Sequence, residues 1–398
     1  RTFTTTLGHP DTFGDKRFVR LFLNGICWAA GQEIPQRPKV KPIKPNGKEH
    51  ADDPRVANMK DAKNTTIAKP EPTEDPEYLK YGIYAKTAPH AAAAEPVVTT
   101  LPLQLRQGER IALVGNTLID RSHLFGYFET MLHQRYPDHQ LIVRNLAWAA
   151  DTPDLQPRPE NFADQDQHLT HEKIDTVFVG YGFNESFAGA NGLAAFKESL
   201  TKYLQTLKSK AFNGKTTPRI VLVSPTANED IDGVPAAILN NANILIYVEA
   251  MQQVAAEQNV GFANVYNDTL RASTDPHSNI TLNGVHLTED GYETFARSLY
   301  RRTFGEDASA INEDLRANVI DKNRQYFRRY RPLNTFYYTG GRKASYGYLD
   351  FLPAMKNFDV MTANRDQRSW DLSTGKSVLN QVDDSNVPVM PDSKEGRG

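Results

Sequence analysis

The sequence predicts an α/β protein: a three-layer α/β/α arrangement built on a parallel sheet, with extensions at both ends. Two observations lead there. Between 105 and 305, short continuous apolar runs alternate with longer stretches of helical periodicity. Strands that are apolar on both sides belong to parallel sheets covered by helices on each face. In addition, the unusual polar clusters of that region follow the apolar runs, as ligand-bearing loops do at the carboxyl edge of an open parallel sheet.

Taken in order, residues 2–8 (TFTTTLG) read as a β-rich run and residues 18–29 as an apolar helix. One strand and one helix cannot bury a core alone, so 1–32 is expected to be the end of a domain. Residues 33–104, rich in Pro, Lys, Asp and Ala without apolar periodicity, read as a linker or a segment draped over a neighbour. Within 105–305 strands are expected at 111–114, 141–143, 176–180, 220–223 and 261–265. Helices are expected near 120–135, 192–209, 237–257 and 288–302. In the last of these, Gly291, Tyr292, Phe295, Ala296 and Leu299 recur at helical spacing. Residues 306–385 begin with a charged helix near 310–329 and continue into an aromatic, Gly-rich stretch that reads as a packed flap. Residues 386–398 read as a second linker.

Composition narrows the function. A net charge of -2 gives no reason to expect nucleic acid as a partner. Cys27 is the single cysteine, which excludes an internal disulfide framework and Cys-rich zinc sites. His9 and His123 show no ligand-type spacing with other residues, so neither a metal nor another cofactor is expected. No apolar run is long enough to span a bilayer. The chain opens on Arg1, as expected of a processed or partial chain.

The strand ends carry the candidate chemistry. Gly115-Asn116-Thr117-Leu118 follows the first strand, Arg144-Asn145 the second, and Gly182-Phe183-Asn184-Glu185 the third. Ser224 to Glu229 follow the fourth, and Asn283-Gly284-Val285-His286 come after the fifth. On residue type alone, Thr117 caps the next helix with Asn116 closing the turn. Asn184 and Glu185 equally suit a cap, His286 a turn histidine, and Glu229 an ordinary loop acid. Together the clusters predict one pocket.

In this order the clusters resemble the blocks of the SGNH (GDSL-type) hydrolases. The first block, G-D-S in the family, is here Gly115-Asn116-Thr117. The second, N-x-G-x-x-G-x-T, is here Asn145 to Thr152 with Ala147 and Ala150 at the Gly positions. The third, G-x-N-D, is Gly182-Phe183-Asn184-Glu185, and the last, D-x-x-H, is Asn283 to His286. The resemblance implies Thr117 as nucleophile and His286 as base. The backbone N–H groups of Thr117 and Ala147, with the Asn184 side chain, would form the oxyanion hole. Asn283 replaces the family's acid, which questions activity. An Asn holds an imidazole but does not stabilise the imidazolium, and in a serine protease triad that swap costs roughly four orders of magnitude in kcat. Glu229, Glu185 and Asp290 are the candidate replacement acids. Asn116, Asn145, Glu185, Glu229 and Arg331 are the expected substrate contacts.

The segment around Gly8-His9 and Gly25-Ile26-Cys27-Trp28-Ala29 resembles the end of trehalose-utilisation-like domains, over about 30 residues. The combination resembles large multidomain secreted proteins of planctomycetes. That implies a periplasmic or extracellular setting, further domains of a parent protein as partners, and an acylated polysaccharide or other ester as substrate. Two functions stay open: an ester hydrolase, possibly a carbohydrate acetyl esterase, or an inactive glycan-binding or domain-docking module.

Overall fold

The computed structural model describes residues 16–29, 31, 81–232, 236–275, 279–343, 347 and 351–390. It divides into two units, Arg1–Pro70 and Glu71–Gly398. In the first, helix α1 (Lys16–Ala29) contains the expected apolar helix. The β-rich run at 2–8 and His9 lie outside the described residues, as do 32–80 and 391–398 of the two expected linkers.

The second unit is built on five strands: β1 (Arg110–Gly115), β2 (Ile142–Asn145), β3 (Thr176–Gly180), β4 (Arg219–Val223) and β5 (Gly261–Ala263). They form one sheet in the order β2-β1-β3-β4-β5, with every pairing parallel. The pleat divides each strand between two cores. Ala112 and Val114 face one, and Ile111 and Leu113 the other. On the first face lie α6 (Gly189–Lys208) and α7 (Ala237–Gln258), through Phe196, Leu200, Tyr247 and Met251. On the second lie α3 (Tyr127–Arg135) and α9 (Glu289–Phe304), through Phe128, Leu132, Phe295 and Leu299. These are the three layers expected from the sequence.

Two differences matter for the site. The single helix expected near 120–135 is broken into α2 (Thr117–Arg121), a 3-10 turn (Ser122–Leu124) and α3. The break falls at Gly126, whose φ of 69° is left-handed. Short helices absent from the sequence reading also appear: α4 (Gln165–His171), α5 (Phe183–Ser186) and α8 (Tyr266–Ser273).

The aromatic C-terminal stretch is more regular than expected. After α10 (Glu313–Tyr330) and α11 (Thr335–Tyr338) comes a 23-residue helix, α12 (Phe351–Ser373). Its periodicity is obscured because its inward face is partly charged. Asp366 forms a buried bidentate pair with Arg144 of β2 (3.1 and 2.5 Å). Tyr326, Tyr330 and Tyr338 are buried against the sheet's first face.

Residues 81–105 lie against this unit. Ile83, Tyr84 and Leu103 are buried, and Ala92–Ala93 pairs antiparallel with Lys210–Ala211. Among the described residues, no helix is long and apolar enough to cross a membrane.

Candidate functional site

The carboxyl edge of the sheet carries a cleft of about 180 Å³ lined by Asn116, Thr117, Arg121, Asn184, His286 and Tyr292, among others. Thus the loops after β1, β3 and β5 meet, as the strand-end argument requires. Close approach of β1 and β3 makes this possible. A Cβ on Gly115 would stand 2.2 Å from the Gly180 carbonyl oxygen, and its φ is 144°. No L side chain fits there, and the chain turns immediately into Asn116.

Asn116 is the N-cap of α2. Its Oδ1 accepts from Leu118 N–H at 3.2 Å, so it closes the turn and also walls the cleft. Thr117 is the first residue of the helix, where backbone N–H groups lack intrahelical acceptors. Its Oγ1 accepts a hydrogen bond from Ala150 N–H at 3.2 Å. That hydroxyl keeps its own proton to donate, and an N–H aimed at Oγ1 would favour negative charge on it. Ala150 has a φ of 66°, so an Ala here adopts the left-handed conformation suited to the glycine of the resembled pattern.

Asn184, half-buried in α5, reaches the cleft with its side-chain amide unpaired among the described residues. Glu185 turns away from the cleft. Its Oε2 accepts from Gly182 N–H at 2.9 Å, capping α5. Burial first, and Asp154 after it, push its carboxyl up to about 7.

The turn bearing His286 is held from below. Glu229, buried, accepts from Ile280 N–H (3.3 Å), Thr281 N–H (2.9 Å) and the Thr281 hydroxyl (2.5 Å). Thr281 Oγ1 in turn accepts from Gly284 N–H at 2.8 Å. Glu229 therefore fixes the loop and does not touch His286. Gly284 has a φ of 85°, and a Cβ would come 3.0 Å from the Glu229 carbonyl oxygen.

At the tip of this turn Asn283 Oδ1 accepts from Val285 N–H (3.3 Å) and His286 N–H (2.9 Å), and lies 3.1 Å from His286 Nδ1. Two backbone donors dictate that the amide oxygen, not its NH₂, faces the ring. An acceptor beside Nδ1 selects the tautomer with the proton on Nδ1, leaving the Nε2 lone pair free. Burial, and then the charge of Arg121, hold the His286 imidazolium below its ordinary range. The ring thus has the tautomer a base needs, and it is without a carboxylate partner among the described residues. Asp290 is exposed in the first turn of α9.

Several expected contacts are corrected. Ala147 N–H is not open to an oxyanion: it donates to Asn145 Oδ1 at 3.0 Å, and Ala147 is buried. Asn145 is a structural tie, its Nδ2 donating to the Ile119 carbonyl at 2.7 Å. Arg331 stacks on Trp148, 3.8 Å from the ring centroid, and pairs with Asp120 at 3.3 Å in a neighbouring groove. Conversely, Arg121 was missed, although as the residue four after Thr117 it shares that face of α2. Its guanidinium lies beside the Tyr292 hydroxyl.

His90, Asp164 and Asp166 gather closely enough to suggest a cation. However, Asp166 is already paired with the Lys210 ammonium, and Asp164 caps α4 through Gln167 N–H at 2.9 Å. Fixed protein groups meet the charge and lone pairs there.

Residues 115–294 match the GDSL-like lipase/acylhydrolase family. No curated protein matches the chain. Among solved structures it is similar to a catalytic variant of an acetylxylan esterase from Geobacillus stearothermophilus, with 18% identity over 52% of this chain and 100% of that one, at a TM-score of 0.42. It is also similar to a gut microbial diltiazem-metabolizing enzyme, with 18% identity over 53% of this chain and 49% of that one, at a TM-score of 0.40.

Proposed function

We propose that the domain is an acyl-ester hydrolase in which Thr117 attacks, His286 is the base and Asn283 takes the place of the triad acid. The observation that carries this reading is the doubly anchored Asn283 oxygen beside His286 Nδ1. In the serine protease template the Asp-to-Asn change leaves the geometry intact but gives the wrong tautomer. Here the amide oxygen faces the ring and the tautomer is right. The remaining deficit is the missing negative charge on the imidazolium.

The steps follow from the groups in the cleft. Thr117 Oγ gives its proton to His286 Nε2 as it bonds to the ester carbon. The oxyanion accepts from Thr117 N–H and the Asn184 amide. The intermediate collapses, the alcohol leaves with the proton from His286, and the acyl-threonine is hydrolysed by a water that the same base activates. The threonine methyl crowds the attack, so turnover is slow. The cleft volume of about 180 Å³ suits a short acyl group. An acetylated carbohydrate outside the cytoplasm is the substrate that the sequence resemblance implies, and the proposal adopts it.

One observation favours the other reading, an inactive module that binds a glycan or a neighbouring domain: no described carboxylate supports His286. Hydrolysis of p-nitrophenyl acetate by wild type, Thr117→Ala and His286→Gln separates the two. Activity lost in both variants supports the hydrolase. Wild-type turnover equal to either variant overturns it.

A further inference from the structure

Behind Arg121 the chain forms a second and larger cavity, about 830 Å³, between the loop after α2 and the helices α10 and α12. Its volume lies in the range of sites for small organic ligands. Phe327, Met355 and Phe358 are among its apolar lining. The charges around it are one-sided: Arg121, Arg324, Arg328 and Arg331 against a single acid, Asp120. Asp120 is engaged by Arg331. Arg324 and Arg328, four residues apart on α10, have no acidic partner among the described residues, and neither does Arg121.

Arg121 is held differently: its Nε is enclosed by protein and its guanidinium lies beside the Tyr292 hydroxyl. The residue lines both this groove and the catalytic cleft. An apolar floor with unpaired guanidinium groups complements one chemistry. Guanidinium forks match a carboxylate in the plane, and the floor takes an alkyl or aryl chain.

We propose that this groove binds an amphiphilic carboxylate, its chain on Phe327, Met355 and Phe358 and its head on Arg324 and Arg328. The site is separate from the Thr117 cleft and does not depend on that cleft being catalytic.

The test is calorimetric titration of the full chain with decanoate below its micelle concentration, with decanol as the uncharged counterpart. No turnover enters the readout, so a failed hydrolase reading leaves this result intact. Saturable decanoate binding is expected, with decanol binding clearly weaker. Arg324→Gln with Arg328→Gln removes two exposed ion pairs to the head and is expected to weaken decanoate roughly tenfold. Both arginines are exposed, so the folded state, checked by circular dichroism, is expected to be unchanged. Phe358→Ala tests the floor and should weaken both ligands. Absence of saturable binding overturns the proposal, as do equal affinities for decanoate and decanol or an unaffected double variant.

Discussion

Asn283→Asp tests how much of a catalytic triad resides in tautomer and how much in charge. The Asp carboxylate would keep the two backbone donors and the ring contact of Asn283, and add a negative charge where Oδ1 lies 3.1 Å from His286 Nδ1. For unit charges at about 3 Å, Coulomb attraction ranges from about 1 kcal/mol in bulk water to about 5 kcal/mol at an effective dielectric of 20. Residue 283 is exposed, which places the gain in the lower half, about 1.4–2.8 kcal/mol, or a ten- to hundredfold rise in kcat/KM for p-nitrophenyl acetate. His286 would also titrate higher, so the acid limb of the rate profile moves to higher pH. Imidazole ¹⁵N shifts supply the matching structural check, with wild type expected to show the Nδ1–H tautomer. A gain near ten-thousandfold would refute the argument, because it would mean that the wild-type tautomer was wrong. So would an Nε2–H ring in wild type, or no gain at all.

Other substitutions probe the supports of the site. His286 is active when neutral, so activity is present above its pKa and lost as pH falls through it. Arg121 helps hold that value down, so Arg121→Gln is expected to move the acid limb to higher pH, and an unmoved limb in a pH-rate profile contradicts the assignment. Glu229→Gln places an NH₂ where donors already converge, at a cost of about 1–3 kcal/mol. Denaturant unfolding should show that loss and kcat should fall, while the pH profile keeps its shape because Glu229 does not touch the ring. Asp366→Ala removes the bidentate partner of buried Arg144 and leaves it only Glu172, 3.5 Å away, so it should cost about 1–3 kcal/mol of stability. A loss under 1 kcal/mol in chemical denaturation would show that the α12 contact is dispensable.

Much of the architecture was legible in the chain. All five strands of the sheet appear where continuous apolar runs predicted them, within a residue or two at their ends, because burial on both faces leaves a strand little room for polar residues. Helix α12 was hidden for the opposite reason: Arg365, Asp366 and Ser369 sit on its buried surface, so its apolar periodicity is interrupted. The broken helix after β1 was hidden because Gly126 is compatible with a helix in sequence; its left-handed backbone at the start of α3, with Val319 and Ile320 of α10 3.1 and 3.2 Å from where a Cβ would stand, is a tertiary feature.

At the site, the sequence by itself determined which residue types reach the carboxyl edge, since strand ends and loop order decide that. It also marked Asn283 as a departure from an acid. It did not determine which atoms are free. That Ala147 N–H is taken by Asn145, that Glu229 braces the turn from beneath, and that Arg121 stands between two cavities were decided by tertiary structure alone. Hydrogen bonds are short and directional, so a donor's availability depends on ångström-scale neighbours from distant parts of the chain. The orientation of the Asn283 amide is the sharpest case. The same residue type would give either tautomer of His286, and two backbone N–H groups in a three-residue turn choose the one that leaves a base.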